Sequence, residues 1–187
     1  MPRISPIDPK SATGRAKELL DGVQASIGAT PNLFRTLALA PATLDAYLAL
    51  GKSLSGGNFT NARKEQIALA IAGENHCDYC ASAHTLLGRK AGVADEELAA
   101  NLKGASGDAH VQALLTLAQN IVSKRGFVSD ADLTVARDAG VNDAEIVEIV
   151  AEVARNIFTN YLNHVAQTEI DFPHVSAGEV EAASAAA

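Results

Sequence analysis

The chain has 187 residues, with 15 Lys plus Arg against 22 Asp plus Glu and a net charge of −7, a length that suits about one domain with a core large enough to fold without staples. The acidic balance excludes a basic footprint for nucleic acid or an anionic membrane, and 4% aromatics with no Trp leave few stacking platforms for single strands. A hydrophobic fraction of 48% excludes global disorder, and no apolar run approaches the roughly 18 residues of a membrane span.

Ala, Leu, Glu, Lys and Gln dominate, and period-two Val/Ile/Thr runs are missing, so the chain reads as all-α. Residues 1–10 form an arm. The first helix runs from Ser11 to about Ile27 with Ala16, Leu19, Leu20 and Val23 on one face, and Gly28 to Pro31 end it. Leu33–Ala40 is short and apolar. A third helix runs from Pro41 to about Leu54, followed by the loop 55–58. Thr60 is a good N-cap for a helix through Ile67, Leu69 and Ile71, which Gly73 is expected to terminate. Asn75 or His76 then opens a helix from Cys77 to Lys90, and Asp95–Leu102 is short. Asp108 to about Lys124 carries a wide apolar stripe. Ser129 with Asp132, and Asn142 with Glu145, are capping signals for the last two helices. The longest helix is expected to reach about Thr168 with Ile146, Ile149, Val150, Val153, Ile157, Tyr161 and Val165 inward and its Asp and Glu residues solvated. From Ala177 the residues are small or acidic, the composition of a frayed tail. These elements describe one compact helical domain over 1–187. The opening residues, Met1 to Pro6, lack the apolar stretch of a secretory signal, so a cytoplasmic location is expected.

The two cysteines, Cys77 and Cys80, are three residues apart and close almost no loop, which points to chemistry and not to stapling. On a helix His84 lies one turn beyond Cys80 and two beyond Cys77, so it can reach back over Cys80. Both thiols fall at a helix start, where free N–H groups and the dipole favour a thiolate. Residues i and i+3 can bridge with little rearrangement, so one sulfur can attack and the other resolve the product as a disulfide. Glu65, twelve residues earlier, faces the thiols if the two helices pack side by side.

The pattern Glu65-x11-Cys77-x-Tyr79-Cys80-x3-His84 resembles the signature of the alkylhydroperoxidase D / carboxymuconolactone decarboxylase superfamily. The segment from Asn156 through Asn160, Asn163 and His164 to Asp171-Phe172-Pro173 is similar to a peroxidase-related branch of it. The similarity covers about Asn32 to Pro173. It implies that Cys80 is peroxidatic and Cys77 resolving, joined as the Cys77–Cys80 disulfide on oxidation. It also implies that Glu65 and His84 form a proton relay and that Tyr79 lines the site. A hydroperoxide substrate, an external dithiol or thiol reductant, and assembly as a trimer or hexamer follow from the same resemblance. No metal, haem or flavin is implied, and no dinucleotide fingerprint is present.

Other readings remain open on the residues alone. The thiols can be buried small hydrophobes, or half of a zinc site that Glu65 or His164 would have to complete. His84 can be a core histidine, Glu65 a solvated residue of the Arg63-Lys64-Glu65 patch, and His164 a structural histidine on the last helix. His76, His110 and His174 read as cap neighbour and surface. A lyase or decarboxylase of the same fold with incidental thiols is the alternative enzyme; a non-catalytic redox-sensing helical module is the alternative from another class.

Overall fold

The computed structural model describes residues 1–178, so all but the first two residues of the expected tail lie outside the described residues. Among the described residues the regular structure is α1 (Gly14–Ile27), α2 (Asn32–Leu37), α3 (Pro41–Leu54), α4 (Asn61–Glu74), α5 (Asp78–Lys90), α6 (Asp95–Asn101), α7 (Ala109–Ser123), α8 (Asp130–Asp138) and α9 (Asp143–Ala166). None of these helices is long and apolar enough to cross a membrane. The fold is all-α, as the composition implied.

The arrangement centres on α4, in which every residue from Gln66 to Ala72 is buried. A helix apolar on all sides needs partners all round, and α5, α6, α7 and α9 supply them. The small side chains of Ala68, Ala70 and Ala72 let those partners come close. On one side, Ile67 and Ile71 join Phe59, Leu114, Leu115, Leu117, Ile149 and Val153 in a first core cluster. A second cluster combines Leu20 of α1, Leu33 and Leu37 of α2 and Leu44 of α3 with Cys77, Tyr79, Cys80 and Ala81. The thiols are therefore part of a core, not of a loop.

Both capping signals are realised. Ser129 and Asp132 form a capping box on α8, and Asn142 and Glu145 form one on α9. Gly73 behaves otherwise than expected. α4 continues through it to Glu74, and its missing side chain is what allows the Leu102 carbonyl to approach; a Cβ there would collide with that oxygen. The turn falls instead at His76, whose φ of 51° is left-handed, and the N-cap of α5 is Cys77, not Asn75 or His76.

The buried face of α9 also corrects the sequence reading. Ile149 and Val153 are inside, but Val150, Tyr161 and Val165 are 50%, 54% and 60% exposed, while Glu148, Glu152, Asn156, Asn160 and Asn163 are buried. Asp143 is solvated, but Glu148 and Glu152 are not, and for Glu148 the interior supplies donors. Glu148 accepts from Asn58 N (2.5 Å), Asn58 Nδ2 (2.9 Å) and Phe59 N (3.3 Å), fixing the loop that leads into α4. His110 is half-buried between the Ala139 carbonyl and Glu145 and is not a free surface residue.

Gly88 on α5 leaves room for Leu98 of α6. A Cβ at this position would press on Leu98 Cδ2 at 2.5 Å and lie 3.6 Å from the Cβ of Glu65. Gly88→Val is expected to cost about 1–3 kcal/mol through overpacking. The loss is measurable as a lower urea midpoint at unchanged m-value; full retention of stability would show that α5 is free to shift.

Candidate active site

Cys77 caps α5 with its sulfur, which accepts the Cys80 backbone N–H at 3.3 Å. Cys80 begins the helix one turn on, and the two Sγ atoms are 2.7 Å apart with both residues at most 2% exposed. Both are free thiols, and closure to the roughly 2.05 Å of a disulfide requires only a small shift. Hydrogen bonding from the Cys80 side chain, with its backbone N–H, holds the Cys77 thiol below the usual range against the opposing effect of burial. Burial pushes the Cys80 thiol well up, assisted by Cys77 and opposed by two amides. The pair thus carries its first negative charge on Cys77, at the helix N-terminus.

Those amides are the residues that the sequence reading missed. Asn160 Nδ2 donates to Cys80 Sγ at 3.0 Å and Asn163 Nδ2 at 3.4 Å, while Asn75 Nδ2 donates to Asn160 Oδ1 at 2.9 Å. Their i, i+3 spacing on α9 is the sequence signal that marks them. His164 is exposed and lies on the far side of the pair, beside Cys77.

Glu65 and His84 do meet. His84 Nδ1 is 2.6 Å from Glu65 Oε2, across the α4–α5 contact. With Nδ1–H donating to the carboxylate, Nε2 is the nitrogen able to take a proton. Both residues line a cavity of about 340 Å³ whose wall includes Cys80, Leu33, Phe34, Tyr47, Leu87 and Phe172. Glu65 faces this cavity and His164 the opposite side, so they do not converge on the thiols as a zinc site would require.

Tyr79 is more than lining. Its hydroxyl accepts the Leu33 N–H (3.0 Å) and donates to Asp171 (2.9 Å), and its ring meets Phe172 edge-on with centroids 5.4 Å apart. Burial raises its pKa, so it stays a neutral tie between α5, α2 and the C-terminal segment. Further along, Val175 N–H donates to Ser82 (2.9 Å) and Ala177 N–H to Asp78 (2.7 Å), where His174 also approaches.

Residues 41–119 match the carboxymuconolactone decarboxylase family model, a span that contains Glu65, Cys77, Cys80 and His84 but not α9. An alkyl hydroperoxide reductase of Mycobacterium tuberculosis is 31% identical over 108 residues, 56% of this chain, and the match spans only 31% of that protein. The fold is shared with an alkylhydroperoxidase AhpD core, a peroxidase-related protein from Ralstonia eutropha JMP134, with TM-score 0.79, 24% identity, and coverage of 91% of this chain and 92% of that one. It is also shared with the debrominase Bmp8, crystallised as a cysteine-to-alanine variant with 2,3,4-tribromopyrrole, with TM-score 0.75, 18% identity, and coverage of 90% and 91%.

Asn160→Ala removes the closer amide from Cys80 and strands the Asn75 side chain. The expected result is a Cys80 alkylation midpoint at higher pH and a stability loss of about 1–3 kcal/mol. Iodoacetamide labelling against pH, resolved by mass, checks the first; an unmoved midpoint would show that the amide only packs.

Proposed function

We propose that this chain, whose segment 41–119 belongs to the carboxymuconolactone decarboxylase family and whose fold is that of the alkylhydroperoxidase D core, is a thiol-dependent reductase of organic hydroperoxides. The observation that carries the reading is Cys80 at the wall of a mainly apolar cavity that also holds the Glu65–His84 couple, with Cys77 Sγ 2.7 Å from Cys80 Sγ. The cavity suits an apolar hydroperoxide. His84, oriented by Glu65, takes the Cys80 proton, and the Cys80 thiolate attacks the terminal peroxide oxygen. The O–O bond breaks, the alkoxide receives the proton as an alcohol, and Cys80 becomes a sulfenic acid. Cys77 then attacks the Cys80 sulfur, water leaves, and the disulfide forms. An external dithiol returns two electrons.

A second reading uses the same electrons on a different bond. The aromatic wall of Phe34, Tyr47 and Phe172 also suits a flat halogenated ring, which the thiol pair would reduce with loss of halide.

Cys80→Ser is expected to abolish hydroperoxide consumption, and Cys77→Ser to allow one oxidation without recycling by dithiol. Glu65→Gln and His84→Ala should each lower kcat/KM by about 10²–10⁴. Cumene hydroperoxide loss in the presence of dithiothreitol measures all four. Bromide release from tribromopyrrole without peroxide consumption would favour dehalogenation, and turnover of an unsaturated lactone acid by the Cys80→Ser variant would favour a lyase.

A further inference from the structure

The thiol pair is bordered by a cavity on each of two sides. Cys80 opens on the apolar cavity described above. Cys77 opens on a separate polar depression of about 420 Å³ between the start of α5 and the end of α9, lined by Arg3, His76, Asp78, Asn163, His164 and Gln167, among others. Tyr79 lines both and separates them. Two residues that line this depression, Asn163 and Thr168, each carry a buried side-chain oxygen, Oδ1 and Oγ1, with no hydrogen-bond partner among the described residues. Buried acceptors of this kind are costly unless something fills them.

We propose that this depression is the docking site of the dithiol reductant, and that the oxidised pair is reduced through Cys77, on the side away from the oxidant. The identity of the oxidant rests on the peroxidase reading; the reductive route does not. Thiol–disulfide exchange places the attacking, central and leaving sulfurs nearly in line. A thiolate arriving from the depression therefore meets Cys77 with Cys80 behind it. From the other cavity it would meet Cys80, past a lining in which Leu, Phe and Tyr side chains stand beside Lys64, Lys90 and Arg155. The depression keeps a thiolate among polar groups, with Arg3 at its edge.

The electrons balance in two exchanges. The first reductant thiolate bonds to Cys77 Sγ, the Cys77–Cys80 bond breaks, and its electron pair leaves with Cys80, which the Asn160 and Asn163 amides are placed to receive. The second reductant thiol gives up its proton and attacks its own partner sulfur. Cys77 departs as a thiolate, which its capping position favours, and the reductant leaves as a disulfide. Donors beside the two thiols of the reductant would satisfy Asn163 Oδ1 and Thr168 Oγ1; the hydroxyls of dithiothreitol are such donors.

The test starts from protein oxidised with diamide, so it needs no peroxide. A monothiol, 2-mercaptoethanol, cannot complete the second exchange, and acid quenching with maleimide labelling locates it by peptide mass. The expected adduct is on Cys77 with maleimide on Cys80. An adduct on Cys80, or failure of diamide to join the pair, overturns the proposal. In parallel, His164→Trp is expected to slow reduction of the disulfide by dithiothreitol at least tenfold while melting within a few degrees of the parent; an equal rate places the reductant elsewhere. Hydroperoxide consumption is measured separately, so loss of the peroxidase reading is distinguishable from loss of this one.

Discussion

A sulfur atom in place of a hydroxyl or carboxylate at a helix N-terminus is the constraint on which the site depends. Ser, Thr, Asp and Asn usually take this position because their oxygen satisfies an N–H that the helix leaves unpaired. Here Cys77 accepts that bond, and the cap geometry fixes the direction in which α5 departs. Once the direction is set, Cys80 lies beneath the cap and His84 one turn further along, against α4. The left-handed residue His76 is the cost of turning the chain tightly enough to do this. A capping residue thus also serves as a reactive group, and the dipole that favours the cap also favours its negative charge.

The second requirement is a polar seam through the interior. α9 turns Glu148, Glu152, Asn156, Asn160 and Asn163 inward. Glu148 ties down the entrance to α4, and Asn160 and Asn163 address the sulfur. Glu152 sits 3.4 Å from Arg155, whose guanidinium also lies over the Tyr47 ring at 5.2 Å. Replacing such groups by hydrocarbon would often leave stability equal or better. Beside the thiols, the two neutral amides of Asn160 and Asn163 can stabilise a sulfur anion without adding a formal charge of their own.

The difference between what was legible in the sequence and what was not follows the range of each interaction. Both capping boxes, the Thr60 cap and the all-helical composition are local, and each appears in the structure where the residues placed it. The Glu65–His84 contact was legible because the second helix is tethered to the first by a short turn, which leaves few ways to pack. The face of α9 was not. Its apolar residues follow a helical period on one side and its acids and amides on the other, and nothing within 24 residues tells which side meets α4 and α5. That choice is made by donors at Asn58 and Phe59 and by the acceptor sulfur of Cys80, which come from distant parts of the chain. Gly73 misled for the same reason. A glycine near a helix end reads as a stop, whereas its purpose is set by Leu102, 29 residues later.

The two sulfurs are chemically alike and made different by their surroundings. Cys77 has a helix terminus, a backbone N–H and a neighbouring S–H, so charge rests there. Cys80 has an apolar wall that resists charge and two amides that accept it. Across 2.7 Å a single proton decides which sulfur is the anion, and moving it carries the charge from the polar depression to the apolar cavity. The Glu65–His84 couple stands on the cavity side, where the proposed reaction needs a proton removed for Cys80 to attack and returned for an alkoxide to leave. No comparable couple is needed on the Cys77 side, because the cap already makes that sulfur a good leaving group. On the proposed reaction, the asymmetry of proton handling matches the asymmetry of the two cavities, with the oxidant met at Cys80 and the reductant at Cys77.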